Sequence, residues 1–466
     1  MSSSADVERG DSFTEARIQL QIQSAENNVG ESTGHPWMVY FCTFIAACAG
    51  YSSPTQSAIT EELQLSEAEF SLFGSILTFG AMFGAITSGF IADYLGRIMA
   101  MKLYALFCTG GWLAIYFSKS SLALHLGRLA GGYGMGAFSY VVPIYIAEIS
   151  PVSLRGALTT LNQVMISTGI SIAFLVGIPL SWRALALMGL IPFGIMLLGL
   201  LLTPESPRWL AREGRADKFK VSLQKLRGKK TDITLETAEI ERCVEELKLL
   251  PKAKIYDLFR KKYLKSVIIG VGLMIFQQFG GINGICFYAS NIFKMAGFSP
   301  KLGTIIYTFL QVVITCVGAT LIDKLGRKPL QLVSAAGASV GFILVAVAFY
   351  LQAHGKSTET AGILAATGIL VYVAFFSIGL GPVPWVIMSE IFPINIKGLA
   401  GSLATLVNWF CAWLVSYKFQ FLMNWSTYGT FFIFAAINAL GFLFVITIVP
   451  ETKGKTLEQI QDAINN

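Results

Sequence analysis

Twelve separate apolar runs, each about 20 residues long, can be marked along the chain, and they constrain its fold more than any other feature. A helix of that length crosses the hydrocarbon of a bilayer with every backbone group satisfied internally, which an open sheet cannot do. The runs lie near 37–57, 70–92, 100–117, 122–147, 157–179, 183–203, 266–290, 303–322, 330–351, 361–388, 398–422 and 428–449, and are called spans 1 to 12. Composition agrees: 54% of the 466 residues are hydrophobic and 14% charged, where soluble domains carry roughly a quarter charged residues. The 34 Phe and 45 Gly suit lipid-facing surfaces and close helix contacts. The expected fold class is an all-α membrane protein.

The net charge of +7 does not point to nucleic acid, because the bases sit in loops between spans, where positive residues mark the cytosolic side. The seven cysteines show no paired or ligand-like spacing, so neither a disulfide framework, a metal site nor a cofactor is expected. Residues 1–35 are polar and lack the apolar core of a signal peptide, which predicts a disordered cytosolic tail. Between spans 6 and 7, Trp209 to Leu264 holds fifteen Lys and Arg against nine acids. That loop is expected on the cytosolic side, and an even number of spans then puts both tails there too. Within it, Lys218 to Leu226 and Leu235 to Leu250 have amphipathic helical spacing. The predicted organisation is a tail (1–35), a six-helix half (36–208), the loop (209–264), a second half (265–449) and a short tail (450–466).

The chain also repeats itself. Asp93-Tyr-Leu-Gly96-Arg97 recurs as Asp323-Lys-Leu-Gly326-Arg327, Ala147-Glu148-Ile-Ser-Pro151 as Ser389-Glu390-Ile-Phe-Pro393, and Pro204-Glu205-Ser as Pro450-Glu451-Thr, at offsets of 230, 242 and 246 residues. Three motifs in one order at nearly one offset indicate a duplicated half. Each motif follows an even-numbered span, so the repeats are parallel.

These residues carry a resemblance to the sugar porter branch of the major facilitator superfamily, running from Trp37 to Gly454. The markers are Gly89-Phe-Ile-Ala-Asp93-Tyr-Leu-Gly96-Arg97, Gly127-Arg128 with Pro143-Ile-Tyr-Ile-Ala-Glu148, Pro204-Glu-Ser-Pro-Arg208, Gln277-Gln278-Phe-Gly-Gly-Ile-Asn283 and Gly381-Pro-Val-Pro-Trp385. Gly50-Tyr-Ser-Ser-Pro54-Thr-Gln56 is similar to the plant early-responsive-to-dehydration subgroup. The resemblance implies the major facilitator fold, with twelve transmembrane helices in two pseudo-symmetric six-helix halves. It also implies a monosaccharide carrier acting as a monomer in a vacuolar or plasma membrane, with a sugar and the bilayer as its partners.

A sugar presents hydroxyls that donate and accept, plus an apolar ring face, so a selective site needs neutral amides and an aromatic surface. Span 7 supplies Gln277, Gln278 and Asn283. The two glutamines point about 100° apart, so each can meet a different hydroxyl. From the residues alone, helix-to-helix hydrogen bonding is an equal reading. The resemblance favours substrate contact and implies a set of Gln163, Gln277, Gln278, Asn283, Gln311, Trp385 and Asn408. Gln311 and Ser377 depart from the Asn and Glu that mammalian relatives often carry there. The Gly379-Leu-Gly381-Pro382-Val-Pro384 cluster beside Trp385 removes helical hydrogen bonds and predicts a hinge.

The charged motifs predict gating. Asp93, Arg97, Glu148, Arg155, Glu205 and Arg208 in the first half, and Asp323, Arg327, Glu390 and Lys397 in the second, lie where spans meet the cytosol. Ion pairs among them are expected to hold the halves together in one state and break in the other, since exposed pairs are worth only about 0 to 1 kcal/mol each. Positive residues acting as topological anchors are the plainer alternative, which leaves the paired acids unexplained. Lys397 stands where arginine is commoner in the family, so its pairing with Glu390 is expected to be looser. Gly131-Gly132-Tyr-Gly134-Met-Gly136 lies inside span 4 and reads as a packing face, not a phosphate loop.

For energy coupling, the resemblance points to Ser52 and Arg128. Proton-driven members carry an aspartate where Ser52 stands, answering to the arginine matched by Arg128. A serine cannot titrate, so transport down the sugar gradient is expected, with His125, three residues before Arg128, as the group on which a proton-coupled alternative rests. Within transport, a polyol or inositol carrier is the rival reading; a non-transporting sugar sensor and a membrane-embedded enzyme are the other classes. Tails and loop are short for a signalling domain, and no mid-membrane catalytic cluster is evident, so no enzyme is expected.

Overall fold

Serines cap five of the long helices, and glycines stand at the two breaks. In the computed structural model the described residues are 52–150, 155–228, 231–249, 255–355, 358–393, 396–455, 459–460 and 464. The first half comprises α1 (Ser52–Leu63), α2 (Glu67–Leu95), α3 (Arg97–Tyr116), α4 (Ser121–Ile149), α5 (Arg155–Gly177) and α6 (Trp182–Leu202). The loop carries α7 (Pro207–Arg212), α8 (Ala216–Arg227) and α9 (Thr234–Leu249). The second half comprises α10 (Lys261–Phe279), α11 (Ile282–Met295), α12 (Pro300–Leu325), α13 (Arg327–Ala353), α14 (Thr358–Phe375), α15 (Val383–Ile391), α16 (Lys397–Trp425) and α17 (Thr427–Ile448). Ser66 caps α2 in a capping box with Glu69, and Ser120, Ser181, Ser299 and Ser426 each accept a backbone N–H at the start of α4, α6, α12 and α17.

Among the described residues ten segments are long and apolar enough to cross a membrane, two of them in pieces, and the part of α5 from Leu161 to Gly177 is also apolar. Span 1 and the N-terminal tail fall outside the described residues, apart from the end of span 1 in α1. Two spans are interrupted. Span 10 loosens into a π-helical segment at Phe376–Leu380 before α15, running into the glycine and proline cluster. Span 7, expected as one helix, is two: Gly281 takes φ +94° between α10 and α11, a left-handed conformation that glycine adopts without strain.

Within the first half α2 and α3 pack on α4; within the second, α13 packs on α14 and α17. The glycine face of span 4 explains the first contact: a Cβ on Gly132 or Gly136 would lie 2.1 and 2.0 Å from the carbonyl oxygens of Leu77 and Ala81 on α2. The halves meet along α2 with α16 and along α5 with α12, contacts that the sequence repeat makes equivalent. The loop helices bury Trp209, Leu210, Phe219, Leu223 and Ile240 in a small core of their own. Arg227 fastens that core to span 4 by donating to the Ile149 carbonyl at 2.8 Å, while Glu236 holds its guanidinium at 2.6 Å.

Candidate functional site

The break in span 7 brings three amides into one chain. Asn283 on α11 donates through Nδ2 to Gln278 Oε1 on α10, and Gln278 Nε2 donates at 2.7 Å to Asn408 Oδ1 on α16. In a continuous helix Gln278 and Asn283, five residues apart, would point about 140° apart around the axis. Their bond exists because the helix turns at Gly280 and Gly281. Gln277 points elsewhere: its Nε2 donates to the carbonyls of Leu380 and Gly381 at 2.8 and 2.7 Å, tying span 7 to the loosened part of span 10. Its Oε1 is buried without a partner.

The other candidates sit on neighbouring elements. Gln163 is half-buried on α5, and Trp385 is half-buried on α15. Gln311 is buried on α12, with Oε1 lacking a partner. The α5–α12 seam is polar: Ser171 Oγ donates to the Thr308 carbonyl at 3.1 Å and Thr315 Oγ1 to Ser167 Oγ at 3.3 Å. A buried acceptor without a donor costs stability and suits a ligand hydroxyl. Ser377 is buried within the π-helical segment.

The charged motifs form two matching networks. Arg97 grips both oxygens of Glu148, at 2.9 and 2.7 Å, and pairs with Asp93 at 2.8 Å; Arg212 meets the same Asp93 oxygen at 2.8 Å. Arg327 pairs with Glu390 at 2.9 Å, and Thr452 Oγ1 donates to the other Glu390 oxygen at 2.6 Å. Glu205 accepts the backbone N–H groups of Arg97 (2.9 Å) and Ile98 (3.1 Å), and Glu451 those of Arg327 (3.1 Å) and Lys328 (2.9 Å). Each carboxylate thus caps the N-terminus of the helix after a motif glycine. Those glycines, Gly96 and Gly326, have φ of +92° and +96°, and a Cβ on either would press on the capping carboxylate.

Burial raises the Glu205 carboxyl, and the N–H groups of Ser206, Ile98 and Arg97 do not fully offset it, so it stays above the usual range. Burial also acts on Glu451, but less deeply, and the N–H groups of Lys453, Arg327, Lys328 and Thr452 hold it below that range.

Each pair named above lies within one half or between a half and its adjoining segment, and none of them joins the two halves. Glu148 is met by Arg97; the side chain of Arg155 lies outside the described residues, as do those of Asp323 and Ser52. Glu205 caps backbone instead of meeting the half-buried Arg208. Arg327 pairs with Glu390, and Lys397 Nζ donates to the Ser389 carbonyl at 2.7 Å. Among the described residues, neutral contacts cross between the halves: the α5–α12 bonds, Trp409 Nε1 donating to Ser139 Oγ at 3.2 Å, and Phe79 against Trp413 with ring centroids 5.8 Å apart.

Arg128 is 1% exposed on α4, its guanidinium 4.4 Å above the Phe73 ring, and His125 Nε2 lies 3.1 Å from the Glu69 carbonyl oxygen. Sequence reasoning passed over Arg212, Thr452, Tyr372 and Asn438. An asparagine in the apolar run of span 12 was a visible signal; the other three carried none apart from their neighbours.

Two six-helix halves, joined along equivalent seams with amides at a helix break and charged caps on one face, define a membrane transporter of the major facilitator fold. The chain belongs to the sugar transporter family: the family model described as "Sugar (and other) transporter" matches residues 31–464. It is 61% identical over 448 residues to Sugar transporter ERD6-like 7 of Arabidopsis thaliana, covering 94% of this chain and 97% of that one. It is 55% identical over 471 residues to Sugar transporter ERD6-like 16 of the same plant, covering 98% of each. Among solved structures, the proton:xylose symporter XylE bound to 6-bromo-6-deoxy-D-glucose aligns with a TM-score of 0.76 at 29% identity, over 93% of this chain and 100% of that one. A peptide transporter, POT in complex with sulfate, shares the fold at 14% identity and a TM-score of 0.64, over 89% of this chain and 94% of that one.

Proposed function

We propose that the chain carries a monosaccharide, of the hexose class, across the membrane by alternating access and down its gradient. The observation that carries this is the Asn283–Gln278–Asn408 chain, neutral amides able to exchange their mutual hydrogen bonds for sugar hydroxyls at a point where a helix is already broken. Gln163, Gln277, Gln311 and Trp385 complete the proposed substrate set, with Trp385 as the surface for the ring face. The charged networks keep each half rigid while the neutral seams between halves open and close. In this reading the motif-bearing face, both tails and the loop are cytosolic, the monomer is the working unit, nucleic acid has no part, and the membrane is vacuolar or plasma.

Proton coupling is the second reading, favoured by the similarity to a proton:xylose symporter and by the burial of Arg128 one turn from His125. Uptake of labelled hexoses, polyols and inositol into transporter-deficient cells tests the substrate class: a hexose preference is expected, and uptake of polyols alone overturns it.

A further inference from the structure

The turn in span 7 leaves the Gly280 carbonyl without its place in a helical ladder, and two residues from other spans occupy it. Tyr372 on α14 donates its hydroxyl at 3.0 Å, and Asn438 on α17 donates Nδ2 at 3.2 Å while also reaching the Phe434 carbonyl at 2.8 Å. Both side chains are fully buried, and neither belongs to the proposed substrate set. The space is tight, since a Cβ on Gly280 would lie 3.0 Å from Asn438 Oδ1. That oxygen has no partner. An amide inside an apolar span, with one of its polar atoms left unsatisfied, costs stability that an apolar side chain of similar size would not.

We propose that Asn438 and Tyr372 are positioning residues for the sugar site: by holding the Gly280 carbonyl they set the angle between α10 and α11, and so the pose of Gln278 relative to Asn283. The argument rests on the reading of Gln278 and Asn283 as substrate contacts. Spans 10 and 12 thereby act on a substrate that neither residue touches. Because both donate to one carbonyl, losing either loosens the same joint, and losing both adds little more.

The test uses the full chain in liposomes, with labelled D-glucose and labelled myo-inositol as probes and monodeoxyglucoses as competitors. Asn438→Leu and the nearly isosteric Tyr372→Phe are each expected to raise KM for the transported probe about fivefold, and the double variant to fall well short of the product of the two. Discrimination against the competitor lacking the hydroxyl that Gln278 meets is expected to weaken in step. Ser339→Ala is the structural control, because its hydroxyl bonds the Ala435 carbonyl on α17 without reaching span 7; it is expected to lower Tm and leave KM and discrimination unchanged. If Gln278→Ala raises KM but Tyr372→Phe and Asn438→Leu do not, the positioning role is wrong and the sugar site stands. If Gln278→Ala leaves KM unchanged, or neither probe is taken up by the wild type, the site reading falls and this inference with it. Should Asn438→Leu not insert, Tyr372→Phe alone decides, as it removes only one hydroxyl.

Discussion

Gln278 Nε2 sits 2.7 Å from Asn408 Oδ1, so the amide that follows Gln277 by one residue joins span 7 to span 11 while Gln277 itself joins span 7 to span 10. The two roles should separate in function. Gln278→Ala leaves the Asn408 acceptor and the Asn283 donor without their partner, and is expected to cost about 1 to 3 kcal/mol in sugar affinity. Equilibrium binding to correctly inserted protein checks this, and wild-type affinity would remove Gln278 from the site. Gln277→Ala frees the Leu380 and Gly381 carbonyls, so its larger effect is expected on the rate of the conformational cycle, read as kcat for exchange.

The charged networks predict which residues are coupled. Arg97 and Glu148 share a bidentate contact with Arg97 buried, so a double-mutant cycle between them on Tm or unfolding free energy should give a coupling of about 0.5 to 3 kcal/mol. Arg327 with Glu390 should behave alike, and Glu390 with Lys397 should be close to additive. Strong coupling of Glu390 to Lys397, with none to Arg327, would restore the arrangement expected from sequence.

Much of the fold was legible because lipid imposes a length and a polarity on every span, and because duplication left three motifs in order. Partners were less so. Glu148 stands seven residues from Arg155 but is met by Arg97, which is 51 residues away and reaches it only because α2 and α3 pack on α4. Glu205 invites pairing with Arg208 three positions on, yet the bare N–H groups at the start of α3 face it instead. The span 10 break was signalled by prolines. That of span 7 was not: Gly280-Gly281 in an apolar run reads as a packing feature, and only the donors from Tyr372 and Asn438, brought by tertiary structure, mark it as a turn.

The two capping carboxylates predict opposite pH dependence. Glu451 is held below its ordinary value of 4.5, so its contribution is fully present above that pH and is lost as pH falls through the depressed value. Glu205 is raised above 4.5, so the folded state binds its proton more tightly than the unfolded chain, and stability falls as pH rises through that window. Melting curves in detergent between pH about 3 and 7 should show the Tm deficit of Glu451→Gln growing as pH rises toward 4.5 and then levelling. The Tm of Glu205→Gln relative to wild type should improve as pH rises above 4.5. Parallel profiles for the two variants would contradict the difference in burial on which the signs rest.

Energy coupling turns on what lies near Arg128. Its guanidinium is buried over Phe73, and a fixed charge on an always-protonated group cannot shuttle a proton by itself. By sequence, Ser52 carries a hydroxyl, which does not titrate in the physiological range. His125 lies one turn away, but its Nε2 faces the Glu69 carbonyl, an acceptor in either protonation state, so that contact requires a proton on Nε2 whether the ring is neutral or charged. That Nε2–H is committed to the backbone of α2. Liposomes loaded without sugar, given labelled hexose on the outside and an imposed pH gradient, should therefore equilibrate without concentrating it, at a rate that His125→Ala changes little. Accumulation above the outside concentration that collapses with the gradient, and is lost in His125→Ala, would establish proton coupling through this histidine in place of facilitated diffusion.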